Sequence, residues 1–317
     1  MNDRIRLGVS ACLLGEHVRY NGGHKRDRWI ADMLGPHVEF VPVCPEAECG
    51  LPVPRETMHL VGDPDHPRLL TTGTGIDHTS RMARWARQRV RELARRGNLC
   101  GFIFKSGSPS CGMRSVRVYA PEGRPSRRGV GMFARAFMES LPHVPVEDEG
   151  RLRDPVVREN FIERIFTTHR WHALLAGGRR RGRLVQFHAE NKLLVLAHSP
   201  KHAKALGTLV ARAEALSPTE VFDMYFERLA EALKLKATVA KHCHVLERIL
   251  GYFKRQLAAD ERQEVLEAIA AFRRSHVPLV VPVTLLNHHA RKVGQPTLAQ
   301  QTYLHPHPLE LHLRNHV

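Results

Sequence analysis

Three cysteines, Cys12, Cys44 and Cys111, each lie in a short loop behind an apolar run that reads as a buried β-strand. The loops are Ser10-Ala11-Cys12-Leu13-Leu14-Gly15, Val43-Cys44-Pro45-Glu46 and Lys105-Ser106-Gly107-Ser108-Pro109-Ser110-Cys111-Gly112. Strands of a parallel α/β sheet end along one edge, so side chains just beyond Val9, Val43 and Lys105 can converge in one crevice. Three thiols in a crevice suit a metal or cluster site with one open coordination position. The residues alone leave three chemistries open. An iron–sulfur cluster on three thiolates could expose one uncapped iron, or a zinc ion on the same thiolates could activate water with Glu46 shuttling protons. Alternatively, one cysteine could act as a nucleophile beside a base, although no histidine of this half accompanies a thiol motif. No CxxC pair is present, which argues against a zinc ribbon. The plain alternative is three unrelated buried cysteines.

The elements that must position these loops alternate in type. Ile5–Val9, Val38–Val43 and Gly101–Lys105 read as parallel strands, and 27–34 and 80–96 as helices. Within the second helix Met82, Ala86, Val90 and Leu93 form one apolar stripe, with Arg84, Arg87, Arg91 and Arg95 on another face. The segment 120–131, rich in Pro and Gly and carrying Arg124, Arg127 and Arg128, reads as a mobile loop, and the acidic run 147–150 as a linker. Beyond it the pattern turns helical. Asp154 and Pro155 open a helix expected to stop at Gly177-Gly178, and Ser217-Pro218-Thr219-Glu220 forms a capping box. The stretch 260–274 is periodic, and Leu279–Val283 alone resembles a strand. The expected architecture is therefore an α/β N-terminal domain over 1–150, with a Rossmann-like parallel sheet, followed by an all-α C-terminal domain over 151–317.

The chain of 317 residues carries a formal charge of +16. Residues 1–150 hold 22 basic against 17 acidic side chains and residues 151–317 hold 26 against 15, so the halves carry +5 and +11. The basic second half predicts a polyanionic partner such as RNA. Arg179, Arg180, Arg181, Arg183, Lys192, Lys201, Lys204, Arg291 and Lys292 are the candidate phosphate contacts. No run approaches 18 unbroken apolar residues and residues 1–15 lack a signal-peptide pattern, so a cytoplasmic protein without membrane association is expected. Nothing in the sequence calls for an obligatory protein partner. Six cysteines without an export signal argue against a disulfide framework. Of these, Cys49 reads as small apolar filling near the site and Cys100 as core. Cys243 stands between His242 and His244, whose side chains diverge too far along a helix to share one metal. Fourteen histidines scattered over the second half read as surface or core residues.

Ser-Ala-Cys-Leu-Leu-Gly, Val-Cys-Pro-Glu with Gly50-Leu51-Pro52-Val53-Pro54-Arg55, and Ser-Pro-Ser-Cys-Gly together resemble the thiouracil desulfidase family. The resemblance implies a 4Fe-4S cluster held by Cys12, Cys44 and Cys111, with the fourth iron free to capture the sulfur of a thiolated pyrimidine. It also implies Glu46 as the group that activates water or protonates the ring, and Ser108 as a hydrogen-bonding residue. Phe187-His188 to Leu194, Ala197-His198-Ser199-Pro200, Val281 to Leu286 with His288-His289, and Tyr303 to Pro308 resemble the YbgA-like helical domain. Proteins with this fusion are similar to tRNA 4-thiouridine desulfidases, which implies thiolated tRNA as substrate and an RNA-binding role for the second half. Free 2-thiouracil is the alternative substrate, and a non-enzymatic iron–sulfur RNA-binding protein the alternative class.

Overall fold

Leu99–Phe104 is buried at all six positions, the pattern of a central strand covered on both faces. A computed structural model of the chain describes residues 4–95, 97–120 and 125–316, which divide into two compact units, Met1–Asp154 and Pro155–Val317. Strands are β1 (Ile5–Ser10), β2 (Val38–Val43), β3 (Met58–Val61), β4 (Arg68–Thr71), β5 (Leu99–Phe104), β6 (Val116–Tyr119), β7 (Ser126–Gly129) and β8 (Val146–Asp148). The first sheet has the order β2-β1-β5-β8 and is parallel throughout. Strand order reverses at β1, so this is the edge where α/β sheets open a ligand crevice. Helices α2 (Thr79–Arg95) and α3 (Met132–Ser140) pack over it. Met82, Ala86, Val90 and Leu93 are the buried stripe of α2, as the spacing predicts. Phe102, Phe104, Phe133 and Phe137 stack and edge against one another beneath them. Gly8 is required for this contact, because a Cβ there would lie 2.2 Å from the Phe102 ring.

A second sheet, β4-β3-β6-β7, was not evident from the sequence. Its strands are four residues each, too short for a clear alternation to stand out. Two expectations change here. The loop expected over 120–131 contains β7, which pairs antiparallel with β6; Arg124 lies outside the described residues, as does Arg96 at the end of the expected second helix. The acidic run 147–150 is no linker. Glu147 and Asp148 lie buried in or beside β8, and Glu149 accepts from Lys105 Nζ at 2.5 Å.

The second unit is helical, with α4 (Pro155–Ala176), α5 (Arg181–His198), α6 (Pro200–Ala211), α7 (Pro218–Lys234), α8 (Val239–Tyr252), α9 (Ala259–Arg273) and α10 (Val280–Val293) as its main elements. Leu279–Val283 is the entry to α10 rather than a strand. Its branched residues fit a helix because Pro282, Val283, Leu286 and Ala290 form one buried face. The capping box at Ser217 is present, with the Glu220 amide donating to Ser217 Oγ at 3.2 Å. Trp171 stacks on Tyr225 and Phe226 at the centre of the apolar core.

That core also contains charge. Arg314 donates to Glu159 (3.2 Å) and Glu163 (2.8 Å), and His198 Nε2 lies 2.9 Å from the other Glu163 oxygen. Burial and the neighbouring Glu163 charge raise the pKa of Glu159 to about 7, against the pull of Arg314. A carboxyl whose folded pKa exceeds its unfolded value stabilises the fold at low pH, and that contribution fades as pH rises through the folded value. Glu159→Gln should therefore gain on the wild type by about 2–3 kcal/mol between pH 5 and pH 8. Urea unfolding at a series of pH values measures this difference, and a constant offset between the two proteins would contradict it.

Candidate functional site

The reversal at β1 dictates where the three cysteines go. Cys12 follows β1 directly, in a 3-10 turn over Ala11–Leu14 closed by Gly15 in the left-handed region. Cys44 follows β2 and precedes the short helix α1 (Pro45–Glu48), where its amide donates to Glu48 Oε1 at 2.9 Å. Cys111 comes seven residues after β5, on a loop that needs firmer anchoring. The first amides of α3 lack helical partners, and they donate instead to this loop, Met132 to the Pro109 carbonyl and Phe133 to the Ser110 carbonyl, both at 3.0 Å. Gly131 makes that approach possible, since a Cβ would fall 2.6 Å from the Ser110 carbonyl carbon. Ser108 Oγ accepts from the amides of Ser110 (3.2 Å) and Cys111 (3.1 Å), closing the turn. Ser10 Oγ accepts from the Lys105 amide at 2.9 Å and ties the ends of β1 and β5 together.

The result is one cavity of about 260 Å³ whose walls include Cys12, Cys44, Cys111, Glu46 and Ser108. Arg19, Tyr20, Lys25, Arg55 and Lys105 also line it. All three thiols are free. Burial raises the Cys12 thiol to about 11, with Cys44 pushing the same way. Burial also raises Cys44 and lifts Cys111 well above its ordinary value, where the Ser10 hydrogen bond is outweighed. Glu46, Cys44 and Cys12 add to the rise at Cys111, so the thiols are close enough to feel one another. Three gathered thiols are soft donors, and a thiophilic cationic centre would deprotonate them on binding. The donor set therefore fits an iron–sulfur group. Among the described residues no three His, Cys, Asp or Glu side chains are grouped tightly enough to hold one metal ion.

Glu46 is the carboxylate of the cavity, and its partners are defined. Arg55 grips Oε2 through Nε at 2.9 Å and through a second, very short contact from its terminal nitrogen, while Ser110 Oγ donates to Oε1 at 2.9 Å. Arg55 also donates to the Val18 carbonyl at 2.9 Å, so its position is fixed independently of Glu46. No local pattern in the sequence marks these two partners, although both stand inside the motifs that carry the resemblance. Lys105 Nζ, also lining the cavity, donates to Glu149 and to the Ser106 carbonyl (2.9 Å). Burial raises the Glu149 pKa, but the bonds from Lys105 and Ser106 outweigh it and leave the group below its ordinary value.

The other cysteines lie elsewhere. Cys49 is half-buried against the cluster of Leu60, Leu69, Met82, Val116 and Val118 and is not among the cavity walls; Cys100 and Cys243 are core residues. The candidate phosphate contacts differ among themselves. Arg180, Lys201, Lys204 and Arg291 are exposed. Arg181 instead donates to the carbonyls of Ala213 and Leu216, Arg179 pairs with Asp223 at 3.1 Å, and Lys292 pairs with Glu261 at 2.5 Å. Arg183 reaches the Ala173 carbonyl at 3.5 Å, and Lys192 lies 6.0 Å from the Tyr252 ring centre. No helix of the described residues is long and apolar enough to cross a membrane.

Comparison with known proteins bears on both units. A family profile described as 2-thiouracil desulfurase matches residues 7–149, and one described as Protein of unknown function (DUF1722) matches residues 192–308. The chain belongs to the 2-thiouracil desulfurase family, joined to a YbgA-like domain. The Escherichia coli protein YbgA, uncharacterized, is 31% identical over 158 residues, covering 50% of this chain and 94% of its own length. The uncharacterized Bacillus subtilis protein YbbK is 32% identical over 109 residues, covering 33% of this chain and 71% of its own. A solved structure titled [4Fe-4S]-dependent thiouracil desulfidase TudS is 32% identical, covers 48% of this chain and 95% of its own, and has a TM-score of 0.39. In this desulfurase-family chain the Glu46–Arg55 pair is the main ionic contact inside the cavity. Arg55→Met should leave the Glu46 side chain without its main partner and destabilise the fold by about 3 kcal/mol, against about 1 kcal/mol for Ser110→Ala; denaturant unfolding of both variants checks the order.

Proposed function

We propose that the chain is a desulfidase that replaces the thiocarbonyl sulfur of a thiolated uracil with oxygen, using a [4Fe-4S] cluster held by Cys12, Cys44 and Cys111, and that its substrate is 4-thiouridine in tRNA. The observation that carries this reading is the convergence of three free thiols with a clamped carboxylate in one cavity of a desulfurase-family chain. When bound, the cluster supplies an iron without a protein ligand, a thiophilic Lewis acid for the substrate sulfur. The remaining work falls to the chain. Arg55 and Ser110 aim the Glu46 carboxylate, and Oε1, held by only a hydroxyl, takes a proton from the water that adds to the ring carbon. Ser108 uses both amide contacts to fix the loop, which leaves its own hydroxyl proton to orient water or substrate. Lys105, tied to Glu149, keeps positive charge beside the ring as sulfur departs. The exchange of C=S and water for C=O and hydrogen sulfide involves no net oxidation or reduction, so no electron donor is required.

The tRNA substrate is supported by the +11 charge of residues 151–317 and by exposed Arg180, Lys201, Lys204 and Arg291, which suit phosphate contacts in a cytoplasmic RNA-binding unit. A thiolated base must leave its stack to enter a cavity of this kind. Free 2-thiouracil is the second reading, favoured by a volume of about 260 Å³ that suits a single base.

Anaerobically reconstituted protein incubated with thiolated tRNA and, separately, with 2-thiouracil should lose thio-specific absorbance faster with tRNA; loss with the free base alone would reject the RNA substrate. Cys12→Ser, Cys44→Ser and Cys111→Ser should each lower the iron and sulfide bound per chain. Glu46→Gln should retain both while turnover falls about a hundredfold or more. Full turnover by Glu46→Gln would remove its assigned role.

A further inference from the structure

Beside the cysteine cavity lies an open groove of about 680 Å³, and the two share Tyr20 and Gly107 as a common wall. Its floor is one face of the second sheet. Along β6 the side chains alternate strictly, with Val116 and Val118 buried and Arg117 and Tyr119 exposed. His59 of β3 packs edge-on to Tyr119 with ring centres 5.1 Å apart, and Arg127 of β7 completes that side. Tyr119 is 37% and Tyr20 41% exposed, so neither ring is there to fill a core. Arg19 places its guanidinium carbon 5.2 Å from the centre of the Tyr20 ring. Among the described residues the charged groups lining the groove are Arg117 and Arg127, with no Asp or Glu beside them.

Exposed aromatic rings interleaved with arginines on a sheet face form a platform on which bases stack while phosphates meet the cations. We propose that this groove is a subsite for the nucleotide adjacent to the thiolated base, its base stacking against Tyr119 and Tyr20 and its phosphate meeting Arg117 and Arg127. The inference rests on the desulfidase reading for what fills the neighbouring cavity, and it deepens that reading. The first unit itself distinguishes a polynucleotide from a free base, independently of the basic helical unit. A free nucleobase reaches only the cavity, whereas a base within a strand gains the adjacent stack and its ion contacts. Stacking of this kind strengthens binding by roughly tenfold or more per base.

Two readouts test the subsite with the full chain. First, a uridine trinucleotide carrying 5-iodouridine at a position flanking the central base is irradiated with the protein, which requires no cluster. Peptide mapping should find adducts at Tyr20, His59 or Tyr119, reduced at least fivefold in Arg117→Ala/Arg127→Ala; adducts confined to other surfaces would overturn the proposal. Second, with reconstituted protein, kcat/KM for a trinucleotide with central 4-thiouridine should exceed that for the 4-thiouridine nucleoside at least tenfold. Tyr119→Ala and Arg117→Ala/Arg127→Ala should each cut that ratio at least fivefold without changing the nucleoside rate or the melting temperature. A wild-type ratio near one, or variants that keep the ratio, would also overturn the subsite. Adducts in the groove without turnover of either substrate would count against the desulfidase reading and leave the subsite standing.

Discussion

Three thiols in a buried crevice oppose one another's ionisation, and the fold holds them there all the same. Neutral thiols tolerate burial but ionised ones do not, a cost that a cationic centre taking the sulfurs as thiolates would offset, and much of the first unit is arranged to bring the three together. The strand reversal at β1 delivers Cys12 and Cys44 to one edge. Cys111, further from its strand, is brought to the same place by the amides of α3 and the turn closed by Ser108. The link from Ser10 to Lys105 locks the two central strand ends that flank the crevice. A crevice walled by all three cysteines follows from these hydrogen bonds rather than from the cysteines alone.

The charges around the crevice are sorted by the same logic. Glu46 keeps an oxygen bonded only to a hydroxyl because Arg55 takes the other, and Arg55 is itself held by the Val18 carbonyl. Lys105 is set against Glu149. Arg19 and Lys25 add positive charge at the walls, which favours the approach of an anionic group. The helical unit follows a different rule. Its Glu159, Glu163, Arg314 and His198 are satisfied by one another inside the core, the condition under which buried charge is tolerated.

What the sequence made legible was whatever local pattern alone determines. Mainly apolar runs marked β1, β2 and β5, the four-four-three spacing of Met82, Ala86, Val90 and Leu93 marked α2, and Ser217 with Glu220 marked the start of α7. The crevice followed from strand ends in a parallel sheet. The short strands of the second sheet were hidden because four residues carry little periodicity, and the groove they form was hidden with them. Glu147 and Asp148 resembled solvated linker residues, yet β8 lies at the sheet edge, where Arg114 and Arg151 satisfy their carboxylates. Leu279–Val283 resembled a strand because Val and Ile-like residues dominate it; the buried face that makes it helical emerges only when Leu286 and Ala290 are included. Arg55 and Ser110 were visible as motif residues, but their grip on Glu46 spans 9 and 64 positions of sequence, beyond any local rule.

The measurement that bears most directly on this account is a crystal structure of anaerobically prepared protein with iron located by anomalous scattering. The account predicts four iron atoms in the crevice, three bonded to the sulfurs of Cys12, Cys44 and Cys111 and the fourth touching no protein side chain. A single metal ion on those sulfurs, or a fourth protein ligand closing the remaining iron, would contradict it.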